Sequence, residues 1–248
     1  MDHLKEIQNY WDQRSHGFSD SINEELGSEP GGKWTERFRA LLGDEPLEIL
    51  DDGTGPGFFS VLLASLGHSV TSIDYSEKML ERTRQNLSAR GLPCTAMQMD
   101  AQALAFPDES FDAVVQRDVM WNLDDPAKAY EEICRVLRPG GLLFIDDANH
   151  YLAAHDEEYA LEYRRQQDRR KAAPPAPGDH IVHNPEQVDY TVIEKIAQEQ
   201  PLSYIRRPLW DLEQLIRLGF FDLHVTIEGE KLPRHFQIAA RKKRDGDS

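Results

Sequence analysis

The residues Leu47-Glu-Ile-Leu-Asp-Asp-Gly-Thr-Gly-Pro-Gly57 concentrate the chemistry this chain advertises. An apolar run that reads as a buried strand ends in two aspartates, and glycines follow at alternate positions, Gly53, Gly55 and Gly57. Glycine takes positive φ without penalty and leaves no Cβ between the backbone and a ligand. The apolar segment that follows, 57–66, reads as a helix, whose first turn offers free N–H groups and the positive end of a dipole. Together these make a nucleotide-binding turn. A dinucleotide fingerprint, G-x-G-x-x-G, would put its third glycine at 58, where the chain has Phe58, so the spacing weakens a pyrophosphate reading. Asp74 closes the next strand about 20 residues later, where a carboxylate accepts the two hydroxyls of a ribose. Asp100, beside the small Ala101, is placed to accept an adenine amino group and leave room for the ring.

Further along, Asp146-Asp-Ala-Asn-His-Tyr151 leaves a strand at the rim where ligands bind in such folds. His150 is the candidate general base, since histidine titrates near working pH; its plain alternative is a loop histidine in solvent. Asp147 and Tyr151 are candidates of the same kind. His155, His180 and His183 with Asp156, Glu157 and Asp179 fit no zinc spacing, so no metal is expected. The basic run Arg164–Lys171 could grip an anion, but such a run is more often a solvated helix face. Aromatic residues from Tyr151 to Trp210 could line a pocket, though core packing is the commoner use.

Alternating strands and helices must hold these groups. Strands are expected at Leu47–Asp52, Ser69–Asp74, Cys94–Asp100, Asp112–Arg117 and Gly141–Asp146, with helices at 57–66, 76–90 and 125–137. That rhythm predicts a doubly wound α/β fold with a mostly parallel sheet. Residues 1–45 read as two helices with Ser28–Gly32 as the loop between them. Residues 148–209 break the rhythm with a charged helix over Tyr151–Lys171, a stiff Ala-Ala-Pro-Pro-Ala-Pro-Gly linker and a helix over Val188–Gln200. Helix Leu209–Leu218 and strands Phe221–Ile227 and His235–Arg241 follow, the last two as an antiparallel edge hairpin.

The chain has 248 residues, 40% of them hydrophobic and 29% charged, enough for one α/β domain with an insertion. Its net charge of −16 disfavours nucleic acid and anionic membranes as partners. No run of about 18 apolar residues suggests a membrane span. The N-terminus lacks an apolar signal core and the two cysteines, Cys94 and Cys134, read as buried thiols, so the expectation is a cytoplasmic protein, monomer or homodimer.

Four motifs together resemble the class I S-adenosylmethionine-dependent methyltransferases, in their small-molecule, type 11-like branch. Leu50-Asp-Asp-Gly-Thr-Gly-Pro-Gly57 is similar to the family's L-D-x-G-x-G-x-G. Ile73-Asp-Tyr-Ser-Glu-Lys-Met-Leu80, Met99-Asp-Ala-Gln102 and Arg135-Val-Leu-Arg-Pro-Gly-Gly141 follow in the family's order. The resemblance covers residues 8–147 and, more loosely, 209–241. It implies a seven-stranded, mostly parallel Rossmann-like sheet with an antiparallel C-terminal hairpin strand and a helical insertion before the last two strands. It divides the chain into an N-terminal helical lid (1–45), a cofactor-binding core (46–147 and 210–242) and a substrate cap (148–209).

By the resemblance, Asp51, Gly53, Thr54, Gly55 and Gly57 approach the methionine half of S-adenosyl-L-methionine, and Asp74 holds the ribose. Tyr75 and Met79 flank the adenine, Asp100, Ala101 and Gln102 read its edge, and Gln116 and Arg117 contribute near the methionine amine. Tyr10, Arg14 and Phe18 resemble the lid, and Trp121, Asp147 and Tyr151 complete the substrate or lid set. The implied reaction is in-line transfer of a methyl group to a small-molecule acceptor, leaving S-adenosyl-L-homocysteine. Two rivals stand beside it: a non-catalytic S-adenosylmethionine-binding sensor or assembly protein, and an NAD-dependent dehydrogenase, against which Phe58 argues. One departure is Asp52, where the family generally has an aliphatic residue.

Overall fold

β1 (Glu48–Asp52) is four-fifths buried because its apolar Ile49 and Leu50 have no exposure and its two aspartates follow them inward. The computed structural model describes residues 3–171, 187–229 and 232–244. Around β1 stand α1 (His3–Leu26), α2 (Glu29–Leu42), α3 (Phe58–Ser65), β2 (Ser69–Asp74), α4 (Glu77–Ser88) and β3 (Thr95–Gln98). Then come β4 (Phe111–Arg117), α5 (Pro126–Val136), β5 (Leu137–Ala148), α6 (Glu157–Lys171), α7 (Thr191–Glu199), α8 (Leu209–Arg217), β6 (Phe220–Glu228) and β7 (His235–Lys242). The sheet has seven strands in the order β3-β2-β1-β4-β5-β7-β6, the doubly wound arrangement expected. The described residues divide into two compact units, the first of 5–101 with 187–189 and the second of 3–4, 102–171, 190–229 and 232–244.

In the first unit β1 pairs parallel with β2 and β2 with β3, Asp52 lying opposite Ile73 and Asp74 opposite Gln98. Its core joins Phe38 of α2 to Phe59 of α3, edge-on with ring centroids 4.9 Å apart. The loop expected at Ser28–Gly32 is instead the start of α2. Ser28 is the extended N-cap and Pro30 lies in the first turn, where its missing N–H is no loss. Gly31 is required there, since a Cβ would lie 2.5 Å from the Glu25 carbonyl oxygen. β3 is an exposed edge strand, and Cys94 just before it is exposed rather than buried; Cys134 is half-buried.

In the second unit β4 and β5 run parallel, and β5–β7 and β7–β6 are antiparallel. Val114, Val115, Leu143, Phe144, Ile145 and Ile238 have no exposure, as befits a strand layer covered on both faces. β5 begins at Leu137, four residues before the expected strand. Pro139-Gly-Gly141 enters it as an irregularity, with Gly140 at φ 82° and a register shift against β4. The long helix expected over Tyr151–Lys171 is broken into a single 3-10 turn, Leu152–Ala154, and α6, because Asp156 Oδ1 accepts the Tyr159 N–H and starts a new helix. The proline-rich linker, Asp179, His180 and His183 lie outside the described residues. Among the described residues no helix is long and apolar enough to cross a membrane.

Candidate active site

The glycine turn of the first unit is built by its neighbours in sequence and held by α4. Gly53, Gly55 and Gly57 have φ of 74°, 54° and 93°, the left-handed region in which a side chain is strained. The Gly53 and Thr54 N–H groups both donate to the Ile73 carbonyl, at 3.0 and 2.8 Å. Thr83 Oγ1 donates to the Gly55 carbonyl at 2.6 Å, and Asn86 Nδ2 to the Pro56 carbonyl at 2.8 Å. A Cβ on Gly57 would meet Thr83 Cγ2 at 3.0 Å, so this third glycine serves helix approach as well as φ.

Asp51 and Asp74 organise the turn from either side. Asp51 is buried, and its Oδ2 accepts from Thr54 Oγ1 and Ser60 Oγ, each at 2.6 Å. With the Ser60 proton so committed, the 2.6 Å contact between Ser60 and Ser72 has Ser72 as donor. Burial raises the Asp51 carboxyl above the usual range, opposed by these hydroxyl bonds. Asp74 Oδ2 accepts from the Gly55 N–H at 2.9 Å and Oδ1 from the Ser76 N–H at 2.8 Å. Burial lifts the Asp74 carboxyl to about 6 against those two bonds, with Asp51 and Asp12 adding to the rise. A carboxylate offers about four acceptor positions, so two remain for a pair of hydroxyls. In their donor and acceptor chemistry the turn and carboxylate therefore fit a ribose.

The N-terminal helix is fastened to the same place. Ser76 caps α4, accepting from the Met79 N–H at 3.1 Å, and donates to Asp12 Oδ1 at 2.5 Å. Gln8 Nε2 donates to the Tyr75 carbonyl, Ser19 Oγ accepts from Asn86 Nδ2, and a Cβ on Gly55 would lie 3.5 Å from the Phe18 ring. Of the residues expected to form a lid, Phe18 faces the glycine turn, while Tyr10 and Arg14 are buried. Tyr75 is partly exposed and Met79 is buried in α4. Asp100 is half-buried beside the buried Ala101. Asp52 is fully buried and not without a partner.

The second unit gathers another group at the carboxyl ends of β4 and β5. His150 Nε2 lies 2.8 Å from Asp118 Oδ1 and 3.8 Å from Asp147 Oδ1. Trp121 packs on this histidine with ring centroids 5.1 Å apart and on Tyr151 at 5.3 Å. Three residues expected from sequence thus meet: His150, Trp121 and Tyr151. Asp147 plays another part, since its Oδ2 takes Arg207 Nη1 at 2.8 Å with both side chains 1% exposed. Arg207 also forks onto Asp211, which accepts the Tyr130 hydroxyl at 2.7 Å. Gln116 is buried, and Arg117 Nε lies 3.5 Å from Asp146 Oδ2. Gln102 Oε1 accepts from the Asp125 N–H at 2.7 Å, which tethers the start of α5.

Burial opposes the charge on His150, but the hydrogen bond and charge of Asp118, with Asp147, outweigh it and raise its pKa. Asp118 is pulled well below the carboxylate range: burial works upward, and His150, Arg117 and His235 overcome it. His235, 3.1 Å from Asp146, is raised to about 9 against its burial. Sequence reading missed Asp118, Arg207 and His235. Asp118 was within reach, since it follows β4 at the same rim as His150; for the other two no local pattern exists.

Residues 50–145 match the methyltransferase-domain family. That segment holds all four of the motifs that resemble the class I S-adenosylmethionine-dependent methyltransferases. It is 35% identical over 117 residues to a ubiquinone biosynthesis O-methyltransferase of Parvibaculum lavamentivorans, a match covering 47% of this chain and 46% of that one. It is 37% identical over 129 residues to a demethylmenaquinone methyltransferase of Thermus thermophilus, covering 51% and 59%. The chain thus spans about half the length of the curated relatives it matches. Among solved structures, an S-adenosylmethionine-dependent methyltransferase from Mesorhizobium loti superposes with a TM-score of 0.56 at 23% identity, covering 84% of this chain and 96% of that one, a likeness of fold. The matched segment contains the end of β1, the glycine turn, Asp74, Asp118 and most of β5; His150, Arg207 and His235 lie beyond it.

Proposed function

We propose that this chain transfers a methyl group from S-adenosyl-L-methionine to a small-molecule acceptor and releases S-adenosyl-L-homocysteine. The observation that carries this reading is the glycine turn itself, three left-handed glycines locked to a carboxylate that retains acceptor positions, inside the methyltransferase-matched segment. Gly53, Thr54, Gly55 and Gly57, with Asp51, would hold the methionine half of the cofactor. Asp74 would take the ribose, Tyr75, Met79, Asp100, Ala101 and Gln102 the adenine, and Gln116 and Arg117 the amine end. Bound there, the cofactor supplies an electrophilic methyl on a sulfonium. The protein's part is to orient the acceptor, exclude water and, where needed, take a proton, the last assigned to His150. The quinone-pathway names of the two relatives support a quinol-type acceptor among small molecules. In this reading residues 1–45 close as a lid, residues 148–209 form the acceptor's cap, and the chain works in the cytoplasm as a monomer or homodimer without nucleic acid or membrane.

Titration calorimetry with S-adenosylmethionine, S-adenosylhomocysteine and NAD tests the cofactor. Micromolar binding of the first two is expected, and Asp74→Ala should weaken it by about 1–3 kcal/mol through lost charge-assisted hydrogen bonds. Binding of NAD in their place would sink the reading. Tight cofactor binding with no transfer of labelled methyl to any component of a metabolite extract would favour a sensor.

A further inference from the structure

We propose that Asp118 and His150 form an acid–base dyad in which Asp118 positions His150 so that Nδ1 takes the proton of a phenol-type hydroxyl acceptor. This rests on the methyl-transfer reading and names the acceptor's reacting atom. A carboxylate only accepts hydrogen bonds, so the 2.8 Å contact puts the ring proton on Nε2 and leaves a lone pair on Nδ1. Among the described residues no hydrogen bond reaches Nδ1. Asp118 is itself held in the left-handed region, φ 55°, with its N–H donating to the Asp146 carbonyl at 2.8 Å. Both side chains stay open to a solute, His150 with 32% and Asp118 with 42% exposure. The Trp121 and Tyr151 rings stand beside the imidazole, an apolar wall suited to an aromatic acceptor.

The groups bearing on His150 are Asp118 from the end of β4, Asp147 from β5 and Arg207 ahead of α8; Arg117 and His235 act on Asp118. The carboxylates prevail on His150, and its pKa rises. Asp118, Asp147 and His150 also lie close enough together to suggest a cation site. Arg207 already neutralises Asp147, and Arg117 and His235 bear on Asp118, so the arrangement serves a proton better than a divalent cation.

A phenol is a weak nucleophile until ionised, whereas an amine attacks with its lone pair and can shed its proton to water afterwards. In the proposed step the hydroxyl proton passes to Nδ1, and an oxygen electron pair forms the O–CH₃ bond. The electrons of the breaking S–CH₃ bond stay on sulfur as a neutral thioether. Asp118 stabilises the imidazolium, which later returns its proton to water.

The test uses the full chain, methyl-labelled S-adenosylmethionine, catechol and hydroquinone as hydroxyl probes and aniline as the amine probe. Transfer to a hydroxyl probe should rise with pH through a midpoint above the ordinary histidine value, because neutral His150 is the active form. His150→Ala should lower kcat/KM about 100- to 10,000-fold with cofactor affinity in calorimetry unchanged. Asp118→Asn, which tolerates the left-handed backbone, should lower kcat and bring the midpoint back toward an ordinary histidine. Nitrogen-15 NMR of the imidazole should show the Nε2–H form and the same downward pKa movement in Asp118→Asn, a readout independent of turnover. Unchanged turnover in His150→Ala, an unmoved His150 pKa in Asp118→Asn, or activity that vanishes on chelation and returns with magnesium would each overturn the dyad. Cofactor binding with transfer to aniline alone, or to no probe, would also overturn it while leaving the methyl-transfer reading standing. Failure to bind S-adenosylmethionine at all would overturn both.

Discussion

At the end of β2, the ribose contact proposed for Asp74 needs the carboxylate ionised, yet its surroundings raise its pKa. Burial lifts its carboxyl from 3.8 to about 6 even with two N–H donors attached. A raised carboxyl pKa contributes stability below pH 3.8 that is lost as pH rises through about 6; the whole shift is worth up to about 3 kcal/mol. Cofactor binding runs the other way. Affinity for S-adenosylhomocysteine should rise about tenfold between pH 5 and pH 7 and level off above, and Asp74→Asn should flatten that profile. Calorimetry across this range decides it, and a flat profile in the unmodified protein would mean that ionised Asp74 is not what the ligand meets. The position of Asp74 was legible in sequence because a strand end after a glycine turn is a local pattern. Its pKa was not, since burial and the Asp12 and Asp51 charges arrive from α1 and β1. Asp118, by contrast, was legible in principle and escaped because a single aspartate in a loop has no spacing to betray it.

Among the elements, strands and helices of the βα rhythm fell close to their expected bounds, because apolar runs between glycine stops are set by local sequence. Two departures came where turn-forming residues were recruited into an element. Glu29-Pro-Gly-Gly32, expected within the loop between two helices, forms the first turn of α2; Pro139 and Gly140, ahead of the strand expected from Gly141, are taken into β5. In both cases tertiary pairing overrides propensity. The two glycines of α2 make a matched test. Gly31→Ala forces a Cβ to 2.5 Å from the Glu25 carbonyl and should lower unfolding free energy by about 1–3 kcal/mol. Gly32→Ala meets nothing within 4 Å and should raise it by about 0.5–1 kcal/mol through helix propensity. Denaturant midpoints at constant m-value measure both. Equal effects would mean that the close approach of α1 and α2 at Gly31 is not maintained in solution.

On the scale of the whole chain, composition spoke to partners rather than to architecture: a net charge of −16 bears on phosphate-rich ligands and leaves open how a long insertion rejoins its sheet. The answer in the second unit is Arg207. Lying just before α8, it contacts β5 through Asp147 and α8 through Asp211, which also holds Tyr130 of α5, and its guanidinium lies 4.9 Å from the Phe236 ring centroid of β7. Asn149 completes the join, accepting the Arg207 N–H and donating to the Arg207 and Pro233 carbonyls. No spacing rule finds this, since Arg207 lies 60 residues from Asp147. Arg207→Ala would leave two carboxylates buried without their cation and should lower unfolding free energy by about 3–5 kcal/mol at neutral pH. Burial already raises Asp147 despite the guanidinium, so removing that cation raises it further. The deficit of Arg207→Ala should therefore shrink as pH falls and the orphaned carboxyls take up protons. Urea unfolding at pH 7 and pH 5 checks this. A deficit below about 1 kcal/mol, the same at both values, would show that the insertion is held by packing and backbone bonds rather than by this buried charge network.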